Sequence, residues 1–440
     1  MEEETPDRIR DLIDYLKVSP SPYHAVLETC RRLESAGFRR LDEREDWALS
    51  LGDRGYVVRG DSSIIAFRIG SHPPVEKGFR IIGAHTDSPN LRLKPHPLTG
   101  KGGYGCFAVE VYGGVLLHTW LDRDLGLAGR VIVRTPDGHL RAQFLHIDKP
   151  LARVSSLAIH LNREVNEKGL ILNRQEHLPP LFMMGSQEEA EAEWHRIIGD
   201  ACRVDPRDVM GFDLGFFDIT PPSTIGAGHC FVASGRIDNL ASCHAALCAL
   251  LDADARCAAT HVIALFDHEE VGSGSAQGAA GSFLEDVLSR LARIESARGD
   301  LARAIASSFL LSADMSHALH PNYADKHEPG HMPLLNGGPV IKTNVQQRYT
   351  TDGHGAALFR AWCRDVDVPF QDFVIRTDLG CGSTIGPITA TRLGIHAIDV
   401  GNPMLSMHSA REICGARDID GMIRVMKRML ESEDIEVNRG

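Results

Sequence analysis

Histidines and acidic residues follow five apolar runs of the sequence, at the point where each run ends. Each run has the composition of a buried β-strand. Imidazole and carboxylate groups are zinc ligands, and two divalent ions a short distance apart need one carboxylate that bridges them. We therefore predict a site for two divalent metal ions, with residues drawn from the run ends at His85, Asp87, Asp238, Glu269, Glu270, Asp314 and His408.

Glu269 and Glu270 form an adjacent pair that follows the apolar run 261–266. Two neighbouring glutamates can divide the chemistry, one binding a metal ion and the other accepting a proton from water. Each residue alone is weak evidence, because a glutamate pair is usually solvated and a single histidine after a strand is usually a satisfied polar group. The recurrence of the pattern at five run ends favours the metal site.

Other catalytic motifs do not fit the sequence. His268 has no second histidine four positions later, so the single-zinc helix motif is absent. The glycines of residues 272–278 lack the spacing of a dinucleotide-binding loop, and no serine lies in a Gly-x-Ser-x-Gly sequence. Glycines at these places are more consistent with tight turns at the edge of the site.

The predicted ligands must be brought together by the elements that precede them. In an open α/β sheet, the loops at the carboxyl ends of the strands converge on one crevice. Helical and strand patterns alternate at both ends of the chain, whereas the middle carries mainly β-type runs. We predict an α/β fold in two domains, namely a discontinuous catalytic domain of residues 1–96 and 229–440 and an inserted β-rich domain of residues 97–228.

Local patterns predict the main elements. Apolar residues at helical spacing predict a helix over residues 23–36, with Gly37 at its carboxyl end, and an acidic helix over residues 187–198. Strands are predicted at residues 63–67, 79–83, 106–112, 131–134 and 142–147.

The composition is that of an ordinary globular protein, with 43% hydrophobic and 24% charged residues among 440. Lys and Arg number 47 and Asp and Glu 59, so the net charge is −12 with histidine neutral. Because no segment rich in Lys and Arg offsets this negative charge, we expect no nucleic-acid partner. The sequence shows no long apolar segment, no signal-peptide pattern and no Cys-x-x-Cys pair among ten cysteines. We therefore expect a cytoplasmic protein with reduced thiols and no membrane partner.

Five segments of the sequence resemble the aspartyl aminopeptidase family of di-zinc exopeptidases. The likeness extends from residue 21 over nearly the whole chain and includes the predicted insert. The segments are GAHTDSPNLRLK (83–94), DMSHALHPNYADKHE (314–328), GGPVIK (337–342), CGSTIGP (381–387) and MHSARE (407–412).

This resemblance implies a three-layer α/β/α catalytic domain with a mixed sheet, and an inserted dimerisation domain used for subunit contacts. It implies self-association into a large homo-oligomer, a tetrahedral dodecamer. The implied activity is hydrolysis of an N-terminal Asp or Glu from peptides by water that two zinc ions activate. Two Zn²⁺ per chain are implied, with Co²⁺ or Mn²⁺ as possible substitutes.

The resemblance also assigns roles to the residues at the run ends. One zinc ion takes His85 and Asp314, the other takes Glu270 and His408, and Asp238 bridges them. Glu269 is the general base that takes a proton from water. Asp87 orients the imidazole of His85 without binding metal.

Substrate-binding residues are less constrained by the sequence. Lys342 is the candidate cation for the substrate carboxylate, or else a surface lysine in an ion pair. His160 is a candidate catalytic residue that reaches the site of a neighbouring subunit, or else an interface residue without a chemical role. His320, with His317, is a candidate for the substrate pocket, or else packs locally.

Two other functions stay open at this point. The first is a related di-zinc aminopeptidase or deacylase with a preference for neutral residues. The second is a non-catalytic, peptide-binding shell, which the complete set of predicted ligands argues against.

Overall fold

The computed structural model describes residues 6–296, 300–433 and 435. Their α-helices are α1 (Asp7–Val18), α2 (Pro22–Ser35), α3 (Pro74–Lys77), α4 (Val165–Lys168), α5 (Gln187–Cys202), α6 (Ile237–Asp252), α7 (Phe283–Leu291), α8 (Leu301–Ala306), α9 (Gly353–Asp365), α10 (Ile385–Leu393) and α11 (Ala416–Leu430). The first ten strands are β1 (Arg39–Arg40), β2 (Arg54–Arg59), β3 (Ser63–Arg68), β4 (Phe79–His85), β5 (Asn90–Lys101), β6 (Tyr104–Tyr112), β7 (Leu125–Arg134), β8 (Leu140–Ala152), β9 (Leu181–Met184) and β10 (Val209–Asp218). The others are β11 (Ser223–Ile225), β12 (Phe231–Ser234), β13 (Thr260–Phe266), β14 (Phe309–Ala313), β15 (Ser316–His317), β16 (Val340–Lys342), β17 (Gln371–Phe373), β18 (His396–Gly401), β19 (Pro403–Leu405) and β20 (Glu412–Gly415).

The largest sheet is mixed and has the strand order β1-β2-β3-β13-β4-β14-β18-β16-β17. Its four central strands, β13, β4, β14 and β18, run parallel to one another. Every residue of β4 and β13 is buried, which explains why both appear in the sequence as continuous apolar runs. In the register of these strands Phe266 pairs with His85, so the two strands end side by side.

Helices cover both faces of this sheet. Ile82 of β4 packs in a core with residues of α1, α2, α6, α9 and α11, whereas its neighbour Ile81 packs with residues of α7, α8 and α10. Successive side chains of a strand point to opposite faces, so these two cores are the two sides of one sheet. The predicted three-layer α/β/α fold with a mixed sheet is confirmed.

A second sheet is antiparallel, with the strand order β8-β7-β10-β5-β6-β9. Helix α5 packs on it through Trp194, whose ring contacts Phe107 and Phe212. The domain boundary predicted between residues 96 and 97 falls inside β5, which begins at Asn90. The division of the chain into two domains stays a prediction.

A third, small sheet has the order β11-β12-β20-β19-β15 and joins segments that are distant in the sequence. Strand β12 pairs with β20, and in this register Ser234 lies opposite Glu412. This pairing brings Glu412 close to the start of α6, where Asp238 lies.

The predicted helices and strands are present; α2 is shifted by one residue from its predicted range, and the others are longer than predicted. The helix predicted over 23–36 is α2, and Gly37 follows it with φ of +79°, a value that glycine adopts readily. Strands β7 and β8 extend beyond the predicted runs because half of a strand's residues can face solvent and break the apolar pattern. In the part of the chain that the structure describes, no helix combines the length and apolar character needed to cross a bilayer.

Candidate metal centre

The residues predicted as metal ligands meet at the carboxyl ends of the central strands. His85 is the last residue of β4, and Asp314 directly follows β14. Glu269 and Glu270 begin a single 3-10 turn, Glu269–Val271, three residues after β13. The structure therefore brings together side chains that are more than 300 residues apart in the sequence, since His408 lies in the same place.

The first group of ligand atoms surrounds the imidazole of His85. Its Nε2 lies 3.5 Å from Asp238 Oδ1 and 3.6 Å from Asp314 Oδ1. The His85 and Asp238 side chains are 1% and 3% exposed, so the carboxylate and imidazole are removed from water. One nitrogen and two carboxylate oxygens thus converge on one point.

The second group surrounds the imidazole of His408. Its Nε2 lies 3.3 Å from Asp238 Oδ2 and 3.4 Å from Glu270 Oε1. Asp238 therefore faces one histidine with each of its two oxygens. A carboxylate placed between two ligand groups in this way is able to bridge two metal ions.

In both groups, the distances between the side-chain atoms match the spacing of ligands around a metal ion better than the length of a hydrogen bond. The separations of 3.3–3.6 Å are longer than ordinary N–H···O bonds of about 2.7–3.2 Å. Atoms that bind zinc tetrahedrally at about 2.0–2.1 Å lie about 3.3 Å apart. Asp238 Oδ1 and Glu270 Oε1 are buried without a hydrogen-bond partner among the described residues.

Both histidines present the same nitrogen to the centre. His85 donates from Nδ1 to the backbone oxygen of Asp87 at 3.0 Å, and His408 donates from Nδ1 to that of Gly114 at 3.1 Å. These hydrogen bonds leave Nε2 of each ring for a metal ion. A Cβ on Gly114 would lie 3.1 Å from His408 Nδ1, so this close approach favours glycine.

Asp87 orders the centre from outside the two ligand groups. Its carboxylate accepts hydrogen bonds from the backbone N–H groups of Glu269 and Glu270, at 3.2 and 3.1 Å. It also accepts one from the Tyr112 hydroxyl at 2.6 Å, and one oxygen lies 3.5 Å from His85 Nδ1. Asp87 thus fixes His85 and the backbone of the glutamate pair simultaneously.

Burial dominates the electrostatics of the centre. Burial raises the pKa of Glu269, His85 opposes this rise, and the nearby carboxylates of Asp314 and Asp87 add to it, with a net pKa of about 7. Burial also opposes ionisation of Asp238, but His408 and His85 outweigh it and hold the pKa of that carboxyl well below its usual range. Burial tends to lower the pKa of His408, yet Asp238 and Glu270 raise it to about 10. The buried carboxylates of the centre are therefore stabilised by a neighbouring cation. This cation is either a protonated histidine or a metal ion, and the proton and the metal ion compete for the histidine Nε2 atoms.

Lys342 lies on β16 and is buried. Its Nζ donates to the backbone oxygens of Asp314 and Met315 at 3.1 Å each, and to Asp314 Oδ2 at 3.2 Å. These contacts engage all three ammonium protons. Binding of a substrate carboxylate requires the exchange of one of them, and this role of Lys342 stays a prediction.

His320, predicted to bind substrate, and His160, predicted to be catalytic, lie apart from the ligand groups. His320 lines a pocket with His317, Phe373 and Met407, the residue before His408. His160 is exposed in a short 3-10 helix, Ile159–Leu161, and is not in contact with the metal-ligand groups of the described residues. Their substrate and catalytic roles stay predictions.

Two residues of the centre, Tyr112 and Glu412, are not predicted by the pattern of polar residues after apolar runs. Tyr112 ends β6 of the antiparallel sheet and reaches Asp87 from there. Glu412 is buried and accepts hydrogen bonds from the backbone N–H groups of Asp238 and His408, at 3.1 and 2.7 Å. An apolar run gives no indication of such residues, because Glu412 bonds to the backbone and Tyr112 bonds to Asp87, which is not a predicted metal ligand.

An α/β/α sheet with imidazole and carboxylate groups at the carboxyl ends of its parallel strands is an architecture of metal-dependent hydrolases. A model of one such family, the Aminopeptidase I zinc metalloproteases (M18), matches residues 15–429. The chain belongs to this M18 family, the aspartyl aminopeptidase family, and is a zinc aminopeptidase. The resemblance drawn from the sequence is confirmed.

Relatives match the chain over nearly its full length. The Probable M18 family aminopeptidase 2 of Ectopseudomonas mendocina (strain ymp) is 46% identical over 431 residues, which are 97% of this chain and 99% of the relative. Among solved structures, the cryo-EM structure of the Ape4 and Nbr1 complex is 39% identical, with a TM-score of 0.92, and covers 96% of this chain and 85% of that one. The mApe1 dodecamer of S. cerevisiae is 28% identical, with a TM-score of 0.83, and covers 96% of both chains.

Proposed function

We propose that this aminopeptidase removes N-terminal Asp or Glu from peptides with two zinc ions per chain. In this proposal His85 and Asp314 hold one ion, Glu270 and His408 hold the other, and Asp238 bridges them. The observation that carries it is the position of Asp238, whose two oxygens face the two histidines at 3.5 and 3.3 Å. Co²⁺ or Mn²⁺ could replace zinc in such a nitrogen and carboxylate site.

When bound, zinc would polarise the scissile carbonyl of the substrate and lower the pKa of a bound water to near neutrality. We assign the proton of this water to Glu269, because this residue belongs to a ligand group with His85 and Glu270 yet is not needed to complete either of the two groups that share Asp238. Its backbone is fixed by Asp87. Burial favours the protonated form of its carboxyl, which suits a group that accepts a proton and returns it to the leaving amine.

Exchange of Glu269 for Gln tests this role. Glu269→Gln should retain its metal ions by elemental analysis and lose at least about a hundred-fold in kcat, the range expected for acid–base catalysis. Glu191→Gln, which neutralises an exposed residue of α5, is the control and should keep full activity. Near-normal turnover of Glu269→Gln would show that another group accepts the proton.

The acidic preference depends on cations near the N-terminal residue of the substrate. Lys342 and His320 are the proposed contacts, and Lys326 lines the same pocket as His320. Assays with Asp-, Glu-, Leu- and N-acetyl substrates separate this preference from a neutral aminopeptidase or a deacylase. Faster cleavage of Leu- than of Asp-peptides would contradict it.

We also propose self-association through the exposed segment of residues 157–171. Leu161 and Ile171 are 75% and 87% exposed there, beside His160. Leu157, Ile159 and Leu170 of the same segment are exposed as well, and large exposed apolar areas mark interaction sites. The dodecamer of the S. cerevisiae relative supports a large homo-oligomer, which light scattering tests. Function in the cytoplasm is a further proposal, which cell fractionation tests.

A further inference from the structure

One group of potential metal ligands among the described residues lies outside the catalytic centre. It consists of Asp11 on α1 and of His244 and Cys248 on α6. His244 Nε2 lies 2.7 Å from Asp11 Oδ2 and 3.5 Å from Cys248 Sγ, and Cys248 Sγ lies 3.8 Å from Asp11 Oδ2. We propose that these three residues bind a further zinc ion, which fastens α1 to α6.

Helices α1 and α6 bring Asp11 Oδ2, His244 Nε2 and Cys248 Sγ to within 3.8 Å of one another. His244 and Cys248 are four residues apart, so they share one face of α6. Asp11 lies on α1 next to Leu12, a residue of the buried core that α1 shares with α6. His244 is fully buried, whereas the Asp11 side chain is 40% exposed and opens the group to solvent.

The distances are close to those around zinc. Ligand atoms held tetrahedrally at about 2.0 Å (N, O) and 2.3 Å (S) lie about 3.3–3.6 Å apart. The His244–Cys248 and Cys248–Asp11 separations of 3.5 and 3.8 Å already match this spacing within a few tenths of an ångström. Only the His244–Asp11 pair, at 2.7 Å, has to open, and Asp11 is the ligand nearest to solvent.

The charges around the group also fit a divalent ion. A Cys248 thiolate and the Asp11 carboxylate together neutralise Zn²⁺. On binding, the thiol proton is released to solvent, and the proton that His244 Nε2 shares with Asp11 moves to Nδ1 of the same ring. Arg32 donates to Asp11 Oδ2 at 2.9 Å and to Glu28 at 2.7 Å, and Glu28 also pairs with Arg31, so Asp11 has to release Arg32 when it binds zinc. One water at the exposed side can complete four ligands.

A nucleophilic cysteine site is the other chemistry that these residue types suggest, and the geometry disfavours it. In a catalytic triad the nucleophile and the acid contact opposite nitrogens of the histidine. Here Cys248 and Asp11 both contact Nε2 of His244. Burial raises the pKa of Cys248 to about 12, so without a metal ion the thiol stays protonated.

Cobalt distinguishes this site from the catalytic centre, because only this site has a thiolate ligand. The full-length apoenzyme is titrated with Co²⁺, and the near-ultraviolet sulfur-to-cobalt charge-transfer band and the number of bound ions are measured. Wild type should show the band. Cys248→Ser should lose it and bind one ion fewer per chain. Cys363→Ser, a buried thiol of α9 outside any described ligand group, is the matched control and should behave as wild type.

The result does not depend on the catalytic proposal, since the band arises from Cys248 and the ion count is a difference between variants. His244→Gln provides a second variant, with the same expected loss. Absence of the band in wild type overturns the proposal even where a variant fails to fold. A band that persists in Cys248→Ser overturns it as well.

Discussion

Replacing Asp87 with Asn should weaken metal binding although Asp87 belongs to neither ligand group that shares Asp238. The carboxylate accepts three hydrogen bonds, from Tyr112 and from the backbone of Glu269 and Glu270. An asparagine has one acceptor oxygen, so its amide group has to face at least one N–H donor. The backbone that carries the two glutamates, and the His85 ring beside it, then lose a fixed position.

The magnitude follows from the contacts that are lost. A hydrogen bond to a charged group contributes about 1.5–3 kcal/mol. Loss of a group that orients a metal ligand lowers metal affinity about 10–100-fold, or about 1.4–2.7 kcal/mol. Asp87→Asn should fall in this range. Tyr112→Phe removes one of the three hydrogen bonds and should lie between wild type and Asp87→Asn.

Competition for zinc with a chelator of known affinity, together with kcat at saturating zinc, measures both effects. Asp399→Asn is the matched control, because this buried carboxylate accepts hydrogen bonds from the Thr350 N–H and from the Thr350 and Thr384 hydroxyls. It should lower stability and leave zinc affinity unchanged. Equal losses in both Asn variants, or none in Asp87→Asn, would refute the reasoning.

Three further predictions test other parts of the structure. Lys342→Met should lower kcat/KM for Asp-peptides more than for Leu-peptides; equal losses would limit Lys342 to holding Asp314 in place. Oligomers assembled from His160→Ala and Glu269→Gln chains should recover activity if His160 acts in a neighbouring site, whereas no recovery in verified mixed oligomers would assign it to the interface alone. Burial lowers the pKa of His261 from 6.5 to about 4, so its neutral form stabilises the fold above pH 6.5 and this contribution is lost as the pH falls to about 4. His261→Gln should therefore flatten the stability profile over this interval by about 3 kcal/mol in urea denaturation, and an unchanged profile would contradict the buried neutral histidine.

The strands and the ligand positions could be predicted because one physical cause produces both signals. A strand buried on both faces is apolar throughout, as β4 and β13 are, and its end is where polar residues first become tolerable. His85 and Asp314 therefore stand out against the runs before them. The pairing of residues into two groups could not be read in this way, because it depends on the strand order, which places β14 next to β4 although more than 200 residues separate them.

The residues that support the ligands left no comparable signal. Glu412 is a single acid in a short strand, and its contacts with the backbone of Asp238 and His408 depend on the pairing of β12 with β20. The sequence predicts Lys342 as a contact for the substrate carboxylate. Its three hydrogen bonds to Asp314 and Met315 depend on the pairing of β16 with β18, which the sequence does not reveal.

The segment predicted as an insert takes part in the metal centre as well as in the second sheet. Tyr112 reaches Asp87, and Gly114 accepts the Nδ1–H of His408. Leu116 donates from its backbone to the oxygen of His408, and Thr119 accepts from the backbone of Ala410. The loop that carries His408 is therefore held by the segment that follows β6 and by Glu412 of β20, whereas His85 ends β4 of the central sheet. Because Asp238 faces both histidines, the segment that follows β6 contributes to the geometry of the metal centre through its contacts with the His408 loop.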